Sequence, residues 1–371
     1  MLEATRREAN ELYVLFSLLG HGTLPAGNAE GENAAEFPVA MVVRQEHNGP
    51  RRYILEGDEV RIEGTDGTRR FPREDFRAAA EWLLQTANSS SEPEFDISEL
   101  EGFLDALCIY DMEAQTNDRT DLHLALWSTD APLMGLRIQS RQGGFPLIDG
   151  GRAANLKFEQ TGIRFSAPAI HKINWSDDPE NVAEVARRIL YMQGLGAQFR
   201  YADVADKVFK SNLLLVDTNL PRVLATMLMA LHLDGTARVD ELTALVEEKN
   251  PLKLKDELVT KHGFYRHKLR QLLLAAAYGM RPTVTWNGRA GAVDGWILTD
   301  RQGGLQLYGR TNEQAFADWL FTHTRLEKGS PEADKYGLLE RENGAYYLKL
   351  NLKITLTRSI LTNIDLSNSK F

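Results

Sequence analysis

Residues 121–140 read DLHLALWSTDAPLMGLRIQS. Asp121–Trp127 alternates apolar and polar side chains, as a half-buried strand does, and Leu136–Ser140 forms a second short strand after the turn STDAPLMG. A carboxylate opens the first strand. The triplet Arg137-Ile138-Gln139 on its hairpin partner then points polar groups into the same space. Upstream, Asp96 or Ser98 is placed to cap a helix running through Ile109. Downstream, Gly143, Gly144, Gly150 and Gly151 surround a loop, and Asn155–Glu159 with Ile163–Ser166 reads as a further hairpin about Gly162. A helix followed by paired strands predicts an α/β (α+β) fold built on a mixed sheet.

Working outward, Glu11–Leu19 (ELYVLFSLL) is apolar on most faces and reads as a buried helix, followed by a Gly- and Ala-rich loop over His21–Glu36. Phe37–Arg44 is β-branched enough for a strand, and Arg51–Glu63 alternates around a Gly-Asp pair as a hairpin would. Arg73–Ala87 has helical periodicity and stops at NSSSEPE, the best first boundary. Beyond the core, Pro179–Met192, Asn219–His232, Val239–Glu248 and Arg266–Ala277 read as helices, and Pro282 ends the series. From Thr283 the pattern turns to β: Thr283–Gly288, Gly295–Asp300 and Leu305–Gly309 as strands. A helix follows at Glu313–Thr322, then strands at Tyr336–Glu340 and Tyr346–Thr355 joined at Glu-Asn-Gly. The expected organisation is an N-terminal α+β region over 1–92, a core over 93–176, a helical region over 177–281 and a β-rich region over 282–371.

Composition bounds the function. The 371 residues are 43% hydrophobic and 26% charged, ordinary for a globular chain. The single Cys108 excludes an internal disulfide and a Cys-rich zinc site. No apolar run of membrane-spanning length occurs, and MLEATRREAN lacks a signal peptide's apolar core, so the expectation is a cytoplasmic protein without membrane contact. The net charge of −9, from 52 acidic and 43 basic residues, argues against a generally basic nucleic-acid module. It leaves room for an enzyme whose cleft alone is positive.

An Asp at the head of one strand and polar groups on the next suit a divalent-metal nuclease of the PD-(D/E)xK kind, where Asp and a second acid hold Mg²⁺ through oxygen. The plainer alternative for Asp121 is a surface turn. Glu101 is the candidate second metal carboxylate, with Glu99 and Asp105 as alternatives and a solvated helix face as the plainer reading. Asp111 and Asp118 read as loop residues, and His123 as a packed strand residue. Arg137, Gln139 and Arg141 would share one strand face, a stripe suited to phosphate. The main basic concentration is helical: Lys249, Lys253, Lys255, Lys261, Arg266, His267, Lys268 and Arg270, with Phe264 and Tyr265 interleaved. It suits a phosphate backbone as well as a solvated helix face.

Several ordered segments resemble the HpaII-type restriction endonuclease family: ELYVLFSLLGHGTLPAG; DLHLALW, GLRIQSRQGG and LIDGGRAANLKF; NLLLVDTNLPRVLA; GWILTDRQGGLQLYG; and YYLKLNLKI. Their order and spacing hold over nearly the whole chain. The resemblance implies sequence-specific cleavage of double-stranded DNA at a CCGG-type site, Mg²⁺ (or Mn²⁺) as cofactor, and a restriction–modification system with a cognate DNA methyltransferase; it is compatible with a homodimer. It also carries departures. Where the family strand resembles Gly-Phe-Ser-Ile-Lys-Ser, Gly135–Ser140 reads GLRIQS, so Gln139 stands at the catalytic Lys position and Arg137 at a small polar one. Gln cannot serve as a base but can orient water. Asn155 matches a family Asn and would contact a base edge or a phosphate. Ser330 is kept within an otherwise acidic loop, Glu327–Asp334. The expected roles are Asp121 and Glu101 on metal, Gln139 on water, and Arg137 or Arg141 on phosphate. Lys253, Lys255, Arg266, Lys268 and Asn155 would contact DNA. The competing reading is a catalytically impaired relative that binds DNA or a partner without cutting.

Overall fold

The computed structural model describes residues 2–115, 119–141, 144–175, 185–289 and 293–357. Asp118, Gly143, the first residues of the helix expected from Pro179 and the C-terminal tail lie outside these. The fold is mixed α/β, as expected. Its centre is a nine-stranded sheet ordered Thr23–Gly27, Leu305–Gly309, Gly295–Thr299, Met134–Ser140, Leu122–Leu126, Asn33–Glu46, Gly49–Glu56, Glu59–Gly64 and Gly67–Pro72. Thr23–Gly27 also pairs with the start of Asn33–Glu46, so six of these strands close into a ring. The hairpin quoted first is central. Leu122 pairs with Leu136 antiparallel, and Met134–Ser140 runs parallel to Gly295–Thr299 in the register Arg137–Trp296 and Gln139–Leu298. The sheet therefore draws its strands from residues 23–72, 122–140 and 295–309, across the segment boundaries drawn by composition.

Alternation along the central strands sorts their side chains onto two layers. Leu136, Ile138 and Ile297 pack with the N-terminal helix Arg6–His21 and the helix Arg73–Ser89. Trp296 and Leu298 point the other way, into a core shared with the helices Lys207–Val216, Leu220–Leu233, Val239–Lys249, Phe264–Ala277 and Glu313–His323. Burial on both faces explains why Gly295–Thr299 is a short continuous apolar run. Local signals set the ends. Thr5 caps the first helix with a reciprocal Thr5–Glu8 box, and Gly22 ends it at φ +70°. Asn343 and Gly344, at φ +49° and +87°, make the C-terminal hairpin turn that Asn-Gly favours.

Some local expectations give way to tertiary pairing. Thr23–Gly27 is a strand inside the stretch read as a loop. Asn155–Thr161 pairs with Gln198–Val204 and Ala345–Asn351 rather than with Ile163–Ser166. Residues 283–288 form no strand: the Asn212 amide holds the carbonyls of Arg281 and Val284, each at 2.8 Å, and accepts from the Trp286 N–H at 3.0 Å. Among the described residues no single helix is long and apolar enough to cross a membrane.

His232 is a buried polar residue on the apolar helix Leu220–Leu233. Among the described residues neither ring nitrogen has a hydrogen-bond partner, and the ring lies edge-on to Tyr336 at 6.1 Å. Burial, aided by the Lys328 charge, lowers its pKa to about 4. The unfolded chain then binds a proton that the folded chain refuses, so stability falls as pH drops from about 6.5 toward 4, by up to about 3 kcal/mol. Urea midpoints for wild type and His232→Leu across that range check this. The variant should lose that part of the pH slope; an unchanged slope would assign the acid sensitivity to other groups.

Candidate active site

Asp121 immediately precedes the strand Leu122–Leu126. Its N–H donates to the Leu136 carbonyl at 2.8 Å, and its Oδ2 accepts the Ile138 N–H at 2.6 Å. The carboxylate is thereby fixed against the next strand, between Arg137 and Gln139. Burial raises its pKa; the Ile138 N–H, Arg137 and Arg7 act against that rise. Asp121, Arg137 and Gln139 line one cleft of about 570 Å³, with Arg7, Asn10, Tyr13, Asn88 and Asp300 across from them. Among the described residues the Gln139 side chain makes no hydrogen bond and is available to a ligand.

Another acid beside Asp121 comes from the N-terminal helix, behind the lining of the cleft. Glu11 is 4% exposed, and its pKa is pushed to about 7 by burial first and then by the Asp121 charge. Its Oε2 accepts the Ala114 N–H at 3.2 Å. Arg44 holds the 111–114 loop in place, donating to the carbonyls of Asp111 and Met112 while its other arm pairs with buried Glu46 at 2.6 Å. Arg7 lies over this group, 3.3 Å from Glu11, 3.2 Å from Glu113 and 3.9 Å from Asp121. A signal for Glu11 existed in the sequence: it is the acid leading the uncharged, mostly apolar helical run Leu12–Gly20, on a helix that has to be buried.

The other sequence candidates are distributed differently. Glu101 is exposed at the start of the short helix Glu101–Leu107, whose Phe103 packs against Phe16, Phe71 and Phe76; it does not line the cleft. The strand ends at Ser140, and Arg141 just beyond it does not line the cleft. It bonds Gln306, and its guanidinium lies 5.7 Å from the Trp319 ring, which stacks in turn on Tyr308 and His323. Asn155 is buried and fully used: it donates to the Asp334 and Lys335 carbonyls at 2.9 and 3.2 Å and accepts from Asn351 at 2.8 Å. Arg266 grips Glu247 with two bonds at 2.9 and 3.0 Å, and Lys268 pairs with Asp217 at 3.2 Å. Lys253 and Lys255 are exposed just before the helix Asp256–Thr260. His123 is half-buried opposite Val43, as a packed strand residue would be.

The donor set was tested against a divalent cation. Among the described residues no three Asp, Glu, His or Cys side chains converge tightly enough to cage a metal by themselves. Glu11 and Asp121 offer carboxylate oxygens only, the chemistry Mg²⁺ prefers. Mg²⁺ is commonly held by one or two carboxylates completed by water and substrate phosphate. The residues present fit an ion of that class.

The HpaII restriction endonuclease family model matches residues 5–356. The chain is 27% identical to the type II restriction enzyme HpaII of Haemophilus parainfluenzae over 357 residues, 94% of this chain and 97% of that enzyme. No solved structure matches. The cleft at Asp121 thus sits within a fold matched almost end to end, and the chain belongs to the HpaII restriction endonuclease family.

Proposed function

We propose that this type II restriction endonuclease-like protein hydrolyses double-stranded DNA at the Asp121 cleft, with Mg²⁺ or Mn²⁺ as cofactor and a CCGG-type sequence as its site. The observation that carries the reading is the Asp121 carboxylate, pinned by the Ile138 N–H next to Gln139. Asp121 and Glu11 would hold the cation, Glu11 taking the place expected of Glu101. When bound, a divalent cation polarises the phosphodiester and makes water a better nucleophile. Arg137, beside Asp121, offers its guanidinium to a phosphate oxygen. Gln139 orients water through its amide but takes no proton, so the proton passes to solvent or phosphate. Hydrolysis would leave a 5′-phosphate and a 3′-hydroxyl. A homodimer reading a palindromic site, and a methyltransferase protecting that site, complete the proposal.

The second reading, a relative that binds DNA without cutting, is favoured by Gln139 and by the position of Arg7 among the carboxylates. Plasmid incubated with Mg²⁺, Mn²⁺ or EDTA separates the two. Discrete, metal-dependent bands support the endonuclease, and their pattern tests CCGG. Intact plasmid with folded protein supports the second reading. Under either outcome Gln139→Lys is expected to raise cutting at least about tenfold, since an ammonium there adds charge stabilisation next to the phosphate. A rate equal to or below wild type would show that the surrounding site is adapted to Gln.

A further inference from the structure

Arg7 lines the Asp121 cleft and reaches three acids that come from separate parts of the chain. Its Nε lies 3.3 Å from Glu11 and 3.2 Å from Glu113, and its Nη2 lies 3.9 Å from Asp121. Glu11 sits one helical turn further on and is 4% exposed, whereas Arg7 is 68% exposed. Asp121 lines the cleft and Glu11 does not. The Arg7 guanidinium therefore bridges the buried acid to the one on the cleft wall.

The contacts of Arg7 differ in kind from those of its neighbour. Arg6 donates to the carbonyls of Ala87 and Ser90, at 3.2 and 2.6 Å, which ties it to the end of the helix Arg73–Ser89. Arg73 likewise donates to the carbonyls of Leu19 and Gly20. Among the described residues the polar contacts of Arg7 are with carboxylates. Carboxylate oxygens are also what Mg²⁺ or Mn²⁺ takes. A divalent ion brings twice the charge to a shorter distance, so it is a stronger partner for the same oxygens. An Arg side chain that is mostly exposed can swing away from them. Its withdrawal leaves Glu11 and Asp121 facing one another unless another cation takes its place.

We propose that Arg7 is an internal counter-cation that competes with the divalent ion for Glu11 and Asp121, so that the ion binds by exchange with the guanidinium. This rests on the nuclease reading above, in which those two acids hold the ion. The exchange makes the ion's affinity depend on a residue that supplies none of its ligands.

The test is metal binding, read without DNA. MnCl₂ is titrated calorimetrically into wild type, Arg7→Gln, Arg7→Gln/Asp121→Asn and Arg52→Gln at about pH 8, above the Glu11 pKa of about 7. Each protein is also melted with and without Mn²⁺. Arg52 is exposed, pairs with Glu63 at 3.8 Å, does not line the cleft, and controls for loss of one charge. Arg7→Gln should bind Mn²⁺ at least about tenfold more tightly than wild type. Mn²⁺ should also raise its melting temperature by more than that of wild type. Adding Asp121→Asn should remove the gain, and Arg52→Gln should match wild type. Should Arg7→Gln not fold, Arg7→Lys takes its place: one ammonium cannot span the acids with separate nitrogens, so a smaller gain of the same sign is expected. Mn²⁺ binding by wild type with no tighter binding in Arg7→Gln, a gain that survives Asp121→Asn, or an equal gain in Arg52→Gln would overturn the exchange and spare the nuclease reading. No Mn²⁺ binding by either wild type or Arg7→Gln would overturn the cation site of the nuclease reading itself.

Discussion

Asp121→Asn is expected to lower DNA cutting by about three orders of magnitude or more while leaving the fold in place. The two halves of that expectation have separate causes. Asn keeps an oxygen for the Ile138 N–H, so the link between the strands survives. It removes a buried charge that burial and then the Glu113 charge already disfavour, so thermal stability should be equal to wild type or higher. What disappears is the anionic oxygen offered to a divalent cation, and with it several kcal/mol of transition-state stabilisation. Nicking of supercoiled plasmid in Mn²⁺, with melting curves alongside, checks both halves. Cutting at more than about a tenth of the wild-type rate would move the active site away from this cleft.

Trp296→Ala should be the most destabilising single change, at about 3–5 kcal/mol by urea denaturation. The ring is 1% exposed and lies edge-on to Phe145 at 5.5 Å and to Phe316 at 5.3 Å. Its indole N–H donates to the Ala277 carbonyl at 3.1 Å, so truncation leaves both a cavity and an orphaned acceptor at the end of the helix Phe264–Ala277. Trp296 pairs in register with Arg137, and Phe145 touches both. DNA cutting should therefore fall further than the folded fraction does. A loss below about 1 kcal/mol would mean that the layers repack around the gap.

The sequence carried the local elements well where one face or both faces of an element are buried. The central hairpin, the N-terminal helix and the Gly295–Gly309 ribbon are each readable from periodicity because each meets a core. Pairing over long distances was not readable. Nothing near Thr23–Gly27 announces that Leu305–Gly309 will supply its partner, and nothing near Asn155 announces Ala345–Asn351. The site shows the same division. Asp121, Arg137 and Gln139 are neighbours on one hairpin, and alternation alone brings them together. Glu11 is harder to read, because an acid from the N-terminal helix comes near Asp121 only through the packing of that helix on the sheet. Glu101 lies on a helix before the core strand, where this kind of fold often supplies an acid, but that helix packs through Phe103 and leaves Glu101 exposed. Asn155 was placed by resemblance; its amide is occupied by backbone carbonyls of the 334–335 loop, a contact that sequence spacing does not encode.

The parallel pairing of Gln139 with Leu298 bears on synthesis as well as on chemistry. A chain emerging from the ribosome presents Asp121 and Gln139 long before Gly295–Thr299 exists to flank them. Contacts of such long sequence separation form late. The N-terminal helix and its hairpins can assemble early, but the strand that carries Gln139 keeps an open edge until residues 295–299 arrive, and the Gly279 carbonyl reaches Arg119 only shortly before. An unfinished or prematurely terminated chain would therefore carry Asp121 and Gln139 without the strand that flanks them. In a member of a restriction endonuclease family, a cleft completed only when translation is nearly over leaves few fragments that carry it whole.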